Sequence, residues 1–393
     1  MSEAAFQIPI GPQHPALKEA PENFTFTVDG EYVVDVKARI GYNHRGIEKA
    51  AESRSYIQNL YLVERVCGIC SIAHVSTYAQ AVEEALNLEI PPRAKYIRTI
   101  IYELNRIASH YLWLGIAGHE IGFDTLFMYI WRDREIALNI LEQLTGNRVT
   151  YAAFTIGGVR RDISPQMVKN AKDGLTILEE RMKYYKKLCL SEPTVLKRAV
   201  GVGVLKPQDA IALCAVGPTL RASGIKSDVR ADDPYLAYEE VPFYVVTYDG
   251  CDVASRVLVR CDETLVSIGI IKHALDHLPE GPIKVKAPRI VPPAEVVSRT
   301  EAPRGELIHY LKSNGTDKPE RLKIRSPTLA NIPSICKYLT GCFIADIPIA
   351  LASADPCFTC TDRLAFVNVS NGKRWIWTHE QLRRYSLKWY RQN

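Results

Sequence analysis

The sequence predicts an α+β fold, mainly α, in which a central bundle of long helices carries an N-terminal β-rich hairpin layer and a mixed C-terminal region. Three observations predict it. Apolar and polar residues alternate on both sides of Asp29-Gly30, in Phe24-Thr25-Phe26-Thr27-Val28 and in Tyr32-Val33-Val34-Asp35-Val36, which is the period of a β-hairpin around a strong turn dipeptide. From Ser55 to about Leu188 the apolar period lengthens to that of helices. Beyond it, short strand-like and helix-like runs are separated by loops rich in Gly, Pro and Asp.

Residues 1–54 form the β-rich layer. The bundle, residues 55–190, reads as helical segments around 55–86, 92–121, 125–145 and 164–188, with breaks at Pro91-Pro92, Gly122-Phe123-Asp124 and Gly157-Gly158. Connections this short pack successive helices as a bundle. The mixed region, residues 191–363, opens with a helix at 207–215 and a loop at 217–235, followed by strand-like Tyr244-Val245-Val246-Thr247-Tyr248 and a helix at 255–277. After the loop from Pro279 to Pro293, residues 306–312 and 321–325 read as strands flanking the turn Ser313-Asn314-Gly315-Thr316-Asp317, and a helix at 329–341 follows. Residues 364–393 are a C-terminal extension.

The 393 residues suffice for two or three domains of about 150 residues each. A hydrophobic content of 47% with 24% charged residues is that of a soluble globular enzyme. A net charge of +5 from 49 basic and 44 acidic residues, with no long basic stripe before the last segment, argues against nucleic acid as a partner. No run of about 18 apolar residues occurs; even Cys342 to Ala352 is interrupted by Asp346 and Pro348. Any membrane role is therefore expected through partner subunits.

With no basic-then-apolar leader, the ten cysteines are expected in a reducing compartment. Six of them (Cys189, Cys214, Cys251, Cys261, Cys336 and Cys342) are scattered and read as plain buried thiols. The other four form two pairs, Cys67-Gly68-Ile69-Cys70 and Cys357-Phe358-Thr359-Cys360. On a helix, a spacing of three puts both sulfurs of the first pair on one face, and His74, four residues further, could donate a hydrogen bond to a coordinated sulfur. A four-cysteine zinc clamp is one reading. A redox-active soft-metal site is the other. Separation of the pairs by most of the chain favours the second, as does a size that needs no zinc to close a core.

The run Arg65-x-Cys67-Gly68-x-Cys70-x-x-x-His74, together with Asp355-Pro356-Cys357-x-x-Cys360-Thr361-Asp362-Arg363, resembles the two signature motifs of the large, catalytic subunit of nickel-iron hydrogenases. Ile10-Gly11-Pro12-Gln13-His14-Pro15, the stretch Gly41-Tyr42-Asn43-His44-Arg45-Gly46-Ile47-Glu48-Lys49 and Glu301-Ala302-Pro303-Arg304-Gly305-Glu306 narrow the resemblance to the energy-converting, membrane-bound hydrogenases. The same stretches resemble the related quinone-site (49 kDa-type) subunit of complex I. The resemblance runs from about residue 7 to the C-terminus and implies the nickel-iron hydrogenase large-subunit fold.

It further implies a site. Cys67 and Cys357 would be terminal ligands of nickel, and Cys70 and Cys360 would bridge nickel to an iron carrying carbon monoxide and cyanide. Cleavage of H2 would leave a proton on Cys357. Glu19 matches the proton-relaying glutamate, with Glu22 close enough to take its place; the alternative for Glu19 is a solvated loop carboxylate. Arg304 matches an arginine lying over the open metal position, the alternative being a surface ion pair. Thr328 would hydrogen-bond a cyanide ligand. Where relatives share a magnesium ion between a glutamate and a histidine, this chain has Glu64 and Arg363, which predicts an ion pair replacing the cation; Arg65 has a competing claim on nearby carboxylates. His14 would line the active-site wall and the proton path, and His44 would make a structural hydrogen bond.

The implied partners are a small subunit whose iron-sulfur cluster conducts electrons, ferredoxin as electron carrier, and membrane ion-translocating subunits that hold the chain at the cytoplasmic face. The extension after Arg363 has two readings, a tail removed by a maturation endopeptidase or a terminal helix docked on a partner. A relative that reduces a quinone-like carrier or a sulfur compound is the rival to hydrogenase.

Overall fold

The computed structural model describes residues 5–15, 17, 20–361, 366–367, 370, 372, 374–375, 377 and 379–392. Asn23–Asp29 and Tyr32–Arg39 pair as the expected antiparallel hairpin, Asp29 opposite Tyr32, and the chain turns through Gly30 at a φ of 59°. Phe6–Ile10 adds a third antiparallel strand, Phe6 opposite Val28. Phe24, Phe26 and Val28 are fully buried and share one apolar cluster with Ile335, Leu339, Leu351 and Phe358. The Phe24 and Phe358 rings lie 5.9 Å apart. Burial contributes about 1.5–3 kcal/mol per side chain of this size, and here it anchors the β layer to the segment between Cys357 and Cys360.

Helices Pro92–Ile121, Asp124–Thr145, Pro165–Ser191 and Val253–Asp276 build the bundle. Pro92 opens the first, where its missing N–H would have no helical partner, and Gly122 and Gly146 end the first two in the left-handed conformation. Ser164 and Asp252 cap the other two by accepting the amides of Met167 and Ser255. The 30-residue Pro92–Ile121 helix, about 45 Å long, runs through the core. Its Trp113 is buried, donates its indole N–H to the Ala352 carbonyl at 2.7 Å, and stacks under Arg260 with the guanidinium 4.0 Å from the ring centre.

Two sequence expectations are corrected. The helical segment at 55–86 is two helices, Tyr56–Glu64 and Ser71–Ala85, separated by a turn, so the first cysteine pair does not lie on a helix face. The amides of Ile69 and Cys70, which a continuous helix would give to carbonyls four residues back, point instead at the Cys67 sulfur, both at 3.3 Å. Tyr244–Tyr248 has no regular secondary structure and joins no sheet among the described residues; the Tyr248 amide donates to the Arg221 carbonyl.

The C-terminal sheet has one strand more than expected. Ala294–Ala302 pairs with Gly305–Ser313, which pairs in turn with Arg321–Arg325. Ala302 faces Gly305, leaving Pro303-Arg304 as the hairpin loop. Gly305 has a φ of 125°, and a Cβ there would lie 2.7 Å from the Gly217 amide nitrogen, so the loop reaches the interior only because this residue has no side chain. Helix Pro327–Leu339, capped by Ser326, and helix Ile347–Ser353 lead to the second cysteine pair. Within the extension, His379–Gln392 is a helix.

Candidate metal centre

Two turns bring the cysteines together. Cys67 and Cys70 stand in the break before helix Ser71–Ala85, and Cys357 and Cys360 bracket one 3-10 turn, Phe358–Cys360. All four are buried and free. The Cys67 and Cys357 sulfurs are 3.2 Å apart and those of Cys357 and Cys360 2.9 Å apart, well beyond the roughly 2.05 Å of a disulfide. Such spacing suits sulfurs that share protons or an ion. Cys67, Cys357 and Cys360 form one set of donors mutually within 4.8 Å, and Cys70, His74 and Cys360 form a second, so Cys360 belongs to both.

The sulfurs differ in charge. Hydrogen bonds from Cys357, Cys360 and Cys70 hold Cys67 well below the ordinary thiol range, and the Arg304 charge adds to them. Cys70 is pushed well up, first by its hydrogen bond to Cys357 and then by burial and the Cys67 charge. Cys360 is pushed well up by burial first. Cys67 is therefore the preferred seat of negative charge, while Cys70 and Cys360 hold protons that a soft cation would displace.

The turns are fixed by residues on other elements. Arg45 donates from Nη1 to the Arg65 carbonyl at 2.9 Å and from Nη2 to the carbonyls of Val66, at 2.8 Å, and Thr359, at 3.0 Å. The first two are the carbonyls that the broken helix leaves open, and the third belongs to the other cysteine turn. One guanidinium thus ties both pairs. Asn105, on the long central helix, donates to the Ile69 carbonyl at 2.9 Å. Thr328, at the start of helix Pro327–Leu339, accepts the Cys357 amide at 2.9 Å.

Arg304 is buried, not a surface residue; its Nε donates to the Asp355 carbonyl at 2.7 Å, Nη2 to the Asp355 carboxylate at 2.6 Å and Nη1 to the Ser109 hydroxyl at 3.3 Å. His74, one turn into its helix, places Nε2 3.6 Å from the Cys360 sulfur and Nδ1 3.3 Å from His309 Nε2. Burial pushes His74 down to about 4 and His309 well below its usual range, so both rings are neutral near pH 7.

The other predicted residues divide. Glu22 is buried, with Oε1 3.4 Å from the Thr361 hydroxyl, directly after Cys360. Glu64 is buried, accepts the Ala152 amide at 2.9 Å, and is raised above the usual carboxylate range by burial. Arg65 is exposed; its Nη1 is 3.9 Å from the Glu64 carboxylate and donates to the Tyr61 carbonyl at 2.7 Å. His14 and His44 are both exposed. Glu19 and Arg363 lie outside the described residues, and so does the Glu64–Arg363 pair. Sequence reasoning assigned no role to Arg45, Asp355 or His309. His309 had a signal: it interrupts the inward register of Leu307 and Leu311 on its strand.

The sequence and the fold match chains of known class. Residues 120–294 and 289–363 match the family described as respiratory-chain NADH dehydrogenase, 49 Kd subunit, and residues 45–115 match nickel-dependent hydrogenase. The chain belongs to the family that joins group 4 membrane-bound hydrogenase large subunits with the 49 kDa-type subunits of complex I, and is an oxidoreductase subunit. It is 42% identical to the membrane-bound hydrogenase subunit alpha of Pyrococcus furiosus, over 97% of this chain and 92% of that one. It is also 42% identical to the carbon monoxide-induced hydrogenase of Rhodospirillum rubrum, over 92% of this chain and all of the relative. The solved structure of the membrane-bound sulfane sulfur reductase, an archaeal respiratory membrane complex, contains a chain that superposes with a TM-score of 0.87 at 34% identity, covering 92% of this chain and 100% of that one. Among the described residues no helix is long and apolar enough to cross a membrane.

Proposed function

We propose that the chain is the catalytic subunit of a membrane-bound, energy-converting hydrogenase, forming and oxidising H2 at a nickel-iron centre held by Cys67, Cys70, Cys357 and Cys360. The observation that carries this reading is the convergence of all four sulfurs, buried, into two donor sets that share Cys360. The donor chemistry fits: soft thiolates stabilise several nickel oxidation states, and a sulfur common to both sets suits a metal pair. When bound, nickel with an iron carrying carbon monoxide and cyanide supplies the heterolytic cleavage of H2 and its reversal.

The chain's own residues hold that chemistry in place. Thr328 and Arg45 fix the two turns through backbone groups, so the sulfurs are preassembled. Arg304, clamped by Asp355, contributes a fixed positive charge that favours the Cys67 thiolate and needs no reorganisation. Cys357 takes up the proton on its sulfur. Glu19 or Glu22 relays that proton, and the burial of Glu22 beside the Thr361 hydroxyl supports it as one candidate. An iron-sulfur cluster in a partner subunit would carry the electrons from or to ferredoxin, and Gly68 lies on the exposed side of the first turn. Ion-translocating membrane subunits complete the complex at the cytoplasmic face, and a maturation endopeptidase acts on the extension.

Likeness to the sulfane sulfur reductase favours a second reading, in which the same site reduces a sulfur compound. The two separate in one experiment on the purified complex. A hydrogenase exchanges D2 with water protons to give HD, and Cys357→Ser abolishes the exchange. Reduction of polysulfide without D2 exchange would establish the second reading instead.

A further inference from the structure

His74 and His309 face one another inside the core, each fully buried, with Nδ1 of the first 3.3 Å from Nε2 of the second and ring centres 5.6 Å apart. A hydrogen bond between two neutral imidazoles has a single proton, and either ring can supply it. If His74 supplied it, His309 would carry its other proton on Nδ1, which is buried and has no hydrogen-bond partner among the described residues. The result would be an orphaned N–H inside the core. If His309 supplies it, the unmet group on Nδ1 is only an acceptor lone pair. Orphaned buried N–H groups are the rarer of the two, and the second arrangement turns a donor toward the Cys360 sulfur, which has lone pairs to accept it whether or not it carries a proton.

We infer that His309 is a positioning residue: its Nε2–H donates to His74 Nδ1 and locks His74 as the Nε2–H tautomer, a hydrogen-bond donor to the Cys360 sulfur and not a metal ligand. The inference accounts for a polar side chain in the inward register of Leu307 and Leu311. It also removes His74 from the second donor set, which leaves Cys70 and Cys360 there: a protonated Nε2 has no lone pair for a cation. The donated bond withdraws electron density from Cys360, as outer hydrogen bonds do at metal-thiolate sites. That last effect rests on the nickel-iron reading; the tautomer does not.

The test is nitrogen NMR on full-length chain labelled with 15N-histidine, with His74 assigned by comparison with His74→Ala. His74 should show a protonated Nε2 and an accepting Nδ1. His309→Gln, whose carboxamide N–H can replace the donor, should keep that pattern, and His309→Leu should give mixed tautomers. A protonated Nδ1 on His74 of the unaltered chain, which needs no variant to fold, would overturn the inference. So would an unchanged His74 in folded His309→Leu. In the native complex, His309→Leu should lower the carbon monoxide stretching frequency and His309→Gln should leave it in place. Absence of diatomic bands from all forms would contradict the nickel-iron reading, while the imidazole resonances would still decide the tautomer.

Discussion

Arg45 meets with one side chain the hydrogen bonds that a broken helix would lose, and its Nη2 also reaches the second cysteine turn. Lysine keeps the charge but cannot fork across three carbonyls. Arg45→Lys is expected to lower unfolding stability by about 1–3 kcal/mol and to reduce the metal content of the purified complex; equal denaturation midpoints and equal metal would show the clamp to be idle. Arg304→Lys should retain metal but cut turnover by roughly 10²-fold, since a flexible ammonium cannot hold the geometry that Asp355 imposes. Undiminished turnover in the loaded variant would contradict the role given to the guanidinium. Glu301 gives a pH signature. Burial first, and Asp228 beside it, push its carboxyl up to about 7 against the opposing effect of Arg221 and Arg106. Between its ordinary 4.5 and about 7 the folded chain therefore keeps a proton that the unfolded chain has released, so this group's contribution to stability falls as pH rises through that window and is fully present below it. Glu301→Gln should flatten the pH dependence of the unfolding free energy between those values, and an unchanged slope would refute the assignment.

Elements were legible where the signal is local. The hairpin at residues 23–39 follows from a period of two around Asp-Gly, and the bundle helices end at prolines and glycines that the sequence displays. The break at 65–70 was hidden because Val63, Val66 and Ile69 continue a helical spacing, while the groups that make the break favourable lie elsewhere: the Arg45 bonds span up to 314 positions. The strand Ala294–Ala302 was hidden for the opposite reason. Its buried face carries Ser298 and Thr300, so alternation of polarity is blurred. Tyr244–Tyr248 has the composition of a strand and joins no sheet among the described residues, which shows that such propensity reports a fit to a sheet and does not create one. The hairpin that delivers Arg304 depends on Gly305. Gly305→Ala should cost about 2 kcal/mol or more, from positive φ and from the clash with Gly217; a melting temperature equal to that of the unaltered chain would show that the hairpin can relax.

Across the whole molecule the core is ionic as well as apolar. Arg221 bonds Glu263, Arg230 bonds Asp228 and Glu103, and Arg304 bonds Asp355, all buried. Such pairs add little net stability compared with apolar packing, and removal of one partner is strongly destabilising, so they hold the chain in one arrangement. Pattern reading of a sequence cannot see them, because a buried arginine has the same letter as an exposed one. The motifs made Cys67, Cys70, Cys357, Cys360, His74, Thr328 and Arg304 legible as candidates for one site. They did not show that Arg45, Asp355 and His309 complete it, since those contacts exist only once distant elements meet. Whether the assembled site carries the proposed chemistry is tested most directly by the nickel, iron and zinc bound per chain in the native membrane complex. About one nickel with at least one iron in this subunit is expected. Zinc in place of nickel, or no metal on a chain with all four cysteines intact, would contradict the account.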